Sequence, residues 1–381
     1  MDRVIRIYLY ILPFYSLLGI ILSAFRTAYA ESYTEYVLLA AAILDLLILM
    51  TGWKKLFNST IGLVLLFMLL SLLVGLLNNE LSRRFITDFT NPFFFFGKIF
   101  VFKLFWKNHS FHDYFLKYYI KITFWGSVIL LPIVYFIFSG AGATRMSIFP
   151  PLELPFSYFM QTGGIYFFVS LIAILLYGKR AQLIGAVFTF FLYILVFKNR
   201  EIIKYIIITI LGIFALSLVL ENYSDNYAIR RLLSTFDQVE DRRDGGGIEG
   251  VAGSRAVEVE SILREMNHPI DYIFGKGFGF EYHFEFNETN KMHANAHFTP
   301  IALLSKYGLF FTLFFYLFIF SVLFKFQRRN FDSLYFSALG ACFFVFFESF
   351  FAYAIFVTPI FPISLGYLLF RQSTQQTDIN V

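Results

Sequence analysis

Long apolar blocks punctuated by short polar stretches run the whole length of the chain, at 4–25, 35–52, 59–77, 89–106, 118–138, 156–177, 181–197, 201–220, 298–324, 331–348 and 355–370. Within each block apolar residues follow one another without the two-residue alternation of a barrel strand. Each has about the 17–25 residues that an α-helix needs to cross roughly 30 Å of hydrocarbon. The pattern predicts an all-α polytopic membrane protein with about 10–12 transmembrane helices. The first block follows Arg3 and Arg6 and carries no small-residue cleavage site, so it reads as a helix rather than a removable signal.

Charges orient the blocks. Arg3 and Arg6 before the first, Lys54 and Lys55, the group Lys103, Lys107, Lys117 and Lys121, then Lys325, Arg328, Arg329 and Arg371 mark cytoplasmic ends. Both termini inside require an even number of crossings, yet eleven blocks are present. The clash falls between Ser139 and Arg180, where Lys179 and Arg180 land outside against the charge rule. The prolines Pro150, Pro151 and Pro155 of IFPPLELPF are expected to shape a re-entrant or broken helix there.

Between Asn222 and His297 the pattern changes, and three regions follow: a transmembrane bundle 1–221, an extracytoplasmic loop 222–297, and C-terminal helices 298–381 with a short tail. The loop is too long for a passive connector. Ile229, Leu232, Leu233, Phe236 and Val239 share one helical face, DRRDGGGIEGVAG reads as a flexible turn, and Val259, Ile262, Leu263 and Met266 mark a second amphipathic helix. Ser254 is its expected N-cap, Arg255 its first residue, and Pro269 lies just past its end. IFGKGFGF then turns the chain back on glycines and MHANAHF leads into the next block.

Composition sharpens this. A chain 58% hydrophobic and 15% charged is no water-soluble domain, and 54 phenylalanines suit side chains facing lipid. The net charge of +5 is uneven: the loop holds 13 acidic and 8 basic residues, the remainder 13 acidic and 23 basic. Basic membrane-flanking segments meet anionic lipid, and no nucleic acid is needed to explain them. The lone Cys342 forms no intrachain disulfide and reads as a small core residue.

Few residues carry chemistry. Arg255, at the start of a helix, would favour a phosphate, or it is a solvated surface arginine. Arg180 and Arg145, at ends of apolar blocks, either snorkel or line a cavity for an anion. His293 and His297 are four apart, a spacing that on a helix can chelate a metal, but no HExxH accompanies them, and no metal is expected. A neutral imidazole at a membrane surface suits a general base, with a plain exposed histidine as the alternative. The glycines Gly275, Gly277 and Gly279 match neither a dinucleotide fingerprint nor a P-loop, and tight turns are their expected use. A transporter would carry ionisable groups at mid-membrane and internal repeats, whereas only Asp45 and Glu348 stand inside or at the edge of blocks and no repeat is found.

Taken in order, Arg180, GSRAVEVESILRE with Arg255, YIFGKGFG, and HFTPIALLSKYG with His297, Ile301, Leu304 and Gly308 resemble the bacterial O-antigen polymerase and O-antigen ligase superfamily of membrane glycosyltransferases. The likeness is concentrated in about 175–325 and departs at Phe298, where the family usually has asparagine; Asn295 lies two residues before the histidine instead. The resemblance implies a C-type glycosyltransferase fold in the bacterial inner membrane with the large loop periplasmic. It also implies no cofactor or metal, an undecaprenyl-pyrophosphate-linked glycan as donor, and another lipid-linked repeat unit as acceptor. In the ligase alternative the acceptor is lipid A-core; a lipid-linked oligosaccharide transporter is more distant. A flippase and a chain-length regulator are the implied protein partners. By the same resemblance Arg180 and Arg255 would bind substrate, and His297, with His293 in reserve, would act as base; Arg145 joins the substrate-binding candidates by its place at the end of an apolar block.

Overall fold

The computed structural model describes residues 2–29, 34–56, 58–141, 148–197, 249–283, 292–293, 296–325, 332–352 and 355–379. It is built almost wholly of helices: α1 Asp2–Tyr29, α2 Thr34–Leu56, α3 Ser59–Asn78, α4 Arg83–Trp106, α5 Phe111–Tyr114, a π-helical turn Phe115–Ile120, and α6 Lys121–Gly140. Then come α7 Glu153–Thr162, α8 Ile165–Leu176, α9 Arg180–Phe197, α10 Glu249–Glu265, α11 Pro269–Phe274, two short strands β1 Tyr282–His283 and β2 Met292–His293, α12 Thr299–Leu323, α13 Ser333–Glu348 and α14 Ile360–Ile379. Asp2–Arg26, Ser59–Asn78, Phe111–Gly140 and Thr299–Leu323 are each long and apolar enough to cross a membrane; Ala40–Gly52, Ile165–Leu176, Arg180–Leu195 and Ser333–Glu348 are shorter apolar helices.

Helix starts follow side-chain capping. Asn58 accepts the Ile61 N–H at 2.9 Å, and Asp332 accepts that of Tyr335 at 2.6 Å, each satisfying a donor the first helical turn leaves open. The core is aromatic: Phe95, Phe96, Phe315 and Phe361 are buried between α4, α12 and α14 with ring centroids 5.4–5.8 Å apart. Cys342 is buried there too.

Contacts sort the helix ends into two groups. At one, called the lower end, Asp2 meets His109 and Arg371 meets Asp332. At the other, the upper end, Asn79 after α3 and Arg84 at the start of α4 meet the glycine-rich segment 275–281, and Thr299 at the start of α12 meets Ser349 just after α13. Helix α9 runs antiparallel to α13, with Phe188 stacked on Phe347 and Tyr193 packed at a tilt against Phe336, so Arg180 lies at the upper end.

The awkward segment 139–180 is a helical hairpin. The Ile148 N–H donates to the Tyr177 carbonyl at 3.1 Å, tying the entry to α7 beside the exit from α8, so the chain enters and leaves the bundle at the upper end. Its arms, 10 and 12 residues long, reach roughly 15 and 18 Å, about half of a hydrocarbon layer. The break is made by Gly163 and Gly164, at φ 74° and 83°, rather than by the prolines expected to shape it. Pro155 sits in the first turn of α7, where a missing N–H costs little.

One expectation for the loop is corrected and one falls outside the described residues. The second amphipathic helix does not begin at Arg255: α10 is already helical at Glu249, so Ser254 is no N-cap. His293 and His297 do not share a helix, since His293 is on β2 and His297 precedes α12. The helix expected around 229–239, like the block 201–220 and Arg145, is outside the described residues.

Candidate functional site

The site grows from the packing of α10 onto the first turns of α12. Ile262 and Met266, two of the positions whose spacing marked an amphipathic helix, are buried with Phe280, Tyr282, Ala296, Ile301 and Ala302 in a small core above the bundle. That core fixes Glu258, one turn earlier on α10, against the residue entering α12.

Three hydrogen bonds to Glu258 come from the described residues. His297 brings its ring Nδ1 to 2.9 Å of Oε1 and donates its backbone N–H to Oε2 at 3.1 Å, while the Tyr282 hydroxyl donates to Oε1 at 2.8 Å. The carboxylate side chain is 3% exposed and the imidazole 52%. Burial by itself pushes the Glu258 carboxyl up, but the hydrogen bond and charge of His297, the Tyr282 hydroxyl and the His297 N–H outweigh it and hold the group below the ordinary carboxylate value. A buried carboxylate and a half-open imidazole form a pair whose outer ring face meets solvent. His293 is placed differently: it pairs with Tyr282 across the β1–β2 ladder, and its ring meets the Tyr282 ring at 6.1 Å between centroids.

Arg180 opens α9 and is half-buried. The helix-start setting expected for Arg255 therefore belongs to Arg180, and Arg255 instead stands within α10, three residues before Glu258 in the sequence. Arg180 and His297 lie at the same end of the bundle. Lys179 lies within electrostatic reach of Glu348, the next residue Ser349 accepts the Thr299 N–H at 3.2 Å, and Thr299 is two residues past His297. Beside Arg180, Gln182 donates to the Pro150 carbonyl and to Glu153, at 3.0 and 3.1 Å. Thus Arg180, Glu258 and His297 are gathered at the upper end.

The glycine-rich segment acts through close approach rather than turning alone. It inserts between α3, α4 and α12: Phe278 donates to the Ser71 carbonyl at 3.1 Å, Lys276 to that of Ser305 at 2.6 Å, and Asn79 caps the Lys276 and Phe278 carbonyls at 2.8 and 2.9 Å. Gly277 has φ 82°, and a Cβ there would overlap the Gly75 backbone. Gly308, at φ 79° and ψ 177°, interrupts α12 to let Ile273 and Phe274 lie against it. Below this insert, Asp88 accepts from Lys306 at 2.5 Å and from the Gly279 N–H at 2.9 Å, and its carbonyl takes the Tyr307 hydroxyl at 2.7 Å.

Sequence reasoning missed Glu258, Asp88 and Lys306. The signal for Glu258 was its place one turn before Ile262 on the buried face of its helix, where a carboxylate demands a partner. Nothing local marked Asp88 and Lys306, which are 218 residues apart. With Asp45 and Lys98, joined at 2.6 Å, they add ionisable groups inside the bundle, all paired with one another.

Among the described residues no group of three or more His, Cys, Asp or Glu is arranged to hold a metal. A polar hollow of about 380 Å³ at the lower end is lined by Arg6, Asn108, His109 and Lys117, but Asp2 at 3.3 Å from His109 and Asp113 at 3.2 Å from Lys117 already answer its basic groups. No protein-family model matches the chain, and no curated protein or solved structure does either. What fold and site together define is an all-α protein with membrane-length apolar helices and a carboxylate-held histidine at one end of its bundle.

Proposed function

We propose that the protein is a membrane glycosyltransferase of the polymerase type, moving a glycan from an undecaprenyl-pyrophosphate carrier to a lipid-linked repeat unit on the periplasmic leaflet. The observation that carries this reading is the His297–Glu258 pair, half open at the end of the bundle that also holds Arg180.

In this reading the upper end is periplasmic and the lower end, with Arg6, Lys117 and Arg371, is cytoplasmic, in keeping with the positive-inside rule. Counting the hairpin α7–α8 as re-entrant and the block 201–220, read from the sequence, as a crossing makes the number of crossings even but leaves Lys179 and Arg180 on the outer side. Lys179 and Arg180 then face outward because the site uses positive charge there.

The chemistry is a single displacement. An acceptor hydroxyl oxygen attacks the anomeric carbon, the bond from that carbon to the diphosphate oxygen breaks with its electron pair leaving on the diphosphate, and His297 takes the hydroxyl proton. Arg180 and Arg255 hold the phosphates through charge-assisted hydrogen bonds and stabilise the negative charge that builds on them. Attack from the face opposite the leaving group inverts the anomeric centre.

The test is the surface-glycan profile of a deletion strain complemented with wild type, His297→Gln or Arg255→Ala, alongside transfer by purified protein from a synthetic lipid-linked repeat unit in detergent. Wild type should restore polymer, and each variant should lose roughly 10²–10⁴-fold in turnover while accumulating in the membrane. Wild-type polymer from His297→Gln would discard the base. Free polymer above bare lipid A-core in the deletion strain would make the protein a ligase. Transfer in detergent, with no second compartment, would exclude pure transport.

A further inference from the structure

We propose that Glu258 is a positioning residue for His297: it fixes the imidazole as the Nδ1–H tautomer, so that Nε2, on the open side of the ring, is the nitrogen free to accept a proton. This rests on the reading of His297 as the base but is measurable without any activity.

Geometry and donor chemistry carry the assignment. An ionised carboxylate has only acceptors, so a ring nitrogen 2.9 Å from Oε1 must bring a hydrogen, and the neutral imidazole then holds its lone pair on Nε2. The second oxygen takes the backbone N–H of the same residue at 3.1 Å. One carboxylate thereby grips both main chain and ring of His297, closing a small loop that restricts rotation about both side-chain torsions. The Tyr282 hydroxyl at 2.8 Å supplies a third donor to Glu258 and leaves that carboxylate little freedom to turn away. Because Glu258 is 3% exposed while the ring is 52% exposed, water competes poorly for Nδ1 and freely reaches the opposite edge.

The same geometry predicts an unusual outcome for the near-isosteric change Glu258→Gln. An amide offers one acceptor and one donor group where both present neighbours from His297 require acceptors. The backbone N–H is an obligate donor and claims the amide oxygen. The amide NH2 then faces Nδ1, which must become the acceptor, and the proton moves to Nε2. The variant would hold the ring in place with the wrong nitrogen protonated.

The experiment is solid-state nitrogen NMR of histidine-labelled protein in lipid bilayers, with the His297 signals identified by their loss in His297→Gln. Wild type should show His297 protonated at Nδ1 and bare at Nε2 when neutral, and Glu258→Gln should invert this. Transfer assays on the same preparations should show kcat falling roughly 10²–10⁴-fold in Glu258→Gln with KM for the lipid-linked donor little changed. Glu258→Asp, which keeps two acceptors on a shorter arm, should recover part of the loss. A wild-type ring protonated at Nε2 would overturn the proposal and needs no variant that might misfold. An unchanged tautomer in Glu258→Gln would overturn it too. Full activity of His297→Gln would instead remove the enzymatic reading, while the tautomer result would still judge the pairing.

Discussion

Two carboxylates grip α12 from outside it, and they differ in how much water they leave. Asp88 meets Lys306 with both side chains 2% exposed, whereas Glu258 meets a His297 ring that is 52% exposed although His297 and Lys306 are separated by only eight residues. In the sealed pair each group satisfies the other and nothing remains to bind or react. In the open pair the carboxylate is spent on holding, and the imidazole keeps a free edge. The contrast separates a contact that makes the architecture from one that makes a site, though both read as a carboxylate beside a basic residue.

The sealed pair should be costlier to break. Asp88→Ala would leave the Lys306 ammonium buried without its counter-charge and the Gly279 N–H without an acceptor, an effect of about 3–5 kcal/mol. Reduced accumulation in the membrane and a lower melting temperature in detergent would register it, and removing the charge of Lys306 as well, by Lys306→Met, should recover part.

Gly277→Ala tests the insert that Asp88 supports. A Cβ on backbone at φ 82°, pressed on Gly75, combines strain with overpacking and should cost about 2–4 kcal/mol. Unchanged thermal stability would mean that the glycine-rich segment does not sit between α3 and α12.

Acid should loosen the open pair. Glu258 has its folded value held below the ordinary carboxylate value of 4.5, so its contribution is complete above that pH and is lost as pH falls through the lowered value. Hydrogen exchange, taken relative to its intrinsic rate, should therefore quicken at the His297 and Thr299 amides as pH drops below about 4.5. Unchanged protection there would mean that Glu258 does not hold the residue entering α12.

The mildest change is Tyr282→Phe, which removes one of three donors to Glu258 while keeping the ring. About 1 kcal/mol, or a roughly fivefold fall in turnover, is expected. An effect as large as that of Glu258→Gln would move the controlling contact from the carboxylate to the phenol.

Periodicity by itself determined the class of structure. An unbroken apolar block of about 20 residues has few ways to satisfy its backbone other than a helix, and most blocks read from the sequence became helices within a few residues of the expected bounds. The buried face of α10 was legible in the same way, and the charge pattern singled out the segment between Ser139 and Arg180, although the prolines expected to break it do not. What only tertiary structure decided was which polar groups meet. That the hairpin α7–α8 turns back at its glycines, that Arg180 rather than Arg255 opens its helix, that the glycine-rich segment is wedged against Gly75, and that Glu258 holds His297 all depend on residues far apart in sequence. The physical reason is that a hydrogen bond or ion pair depends on distances of about 3 Å in space, and a sequence separation of 39 between Glu258 and His297 does not specify that distance.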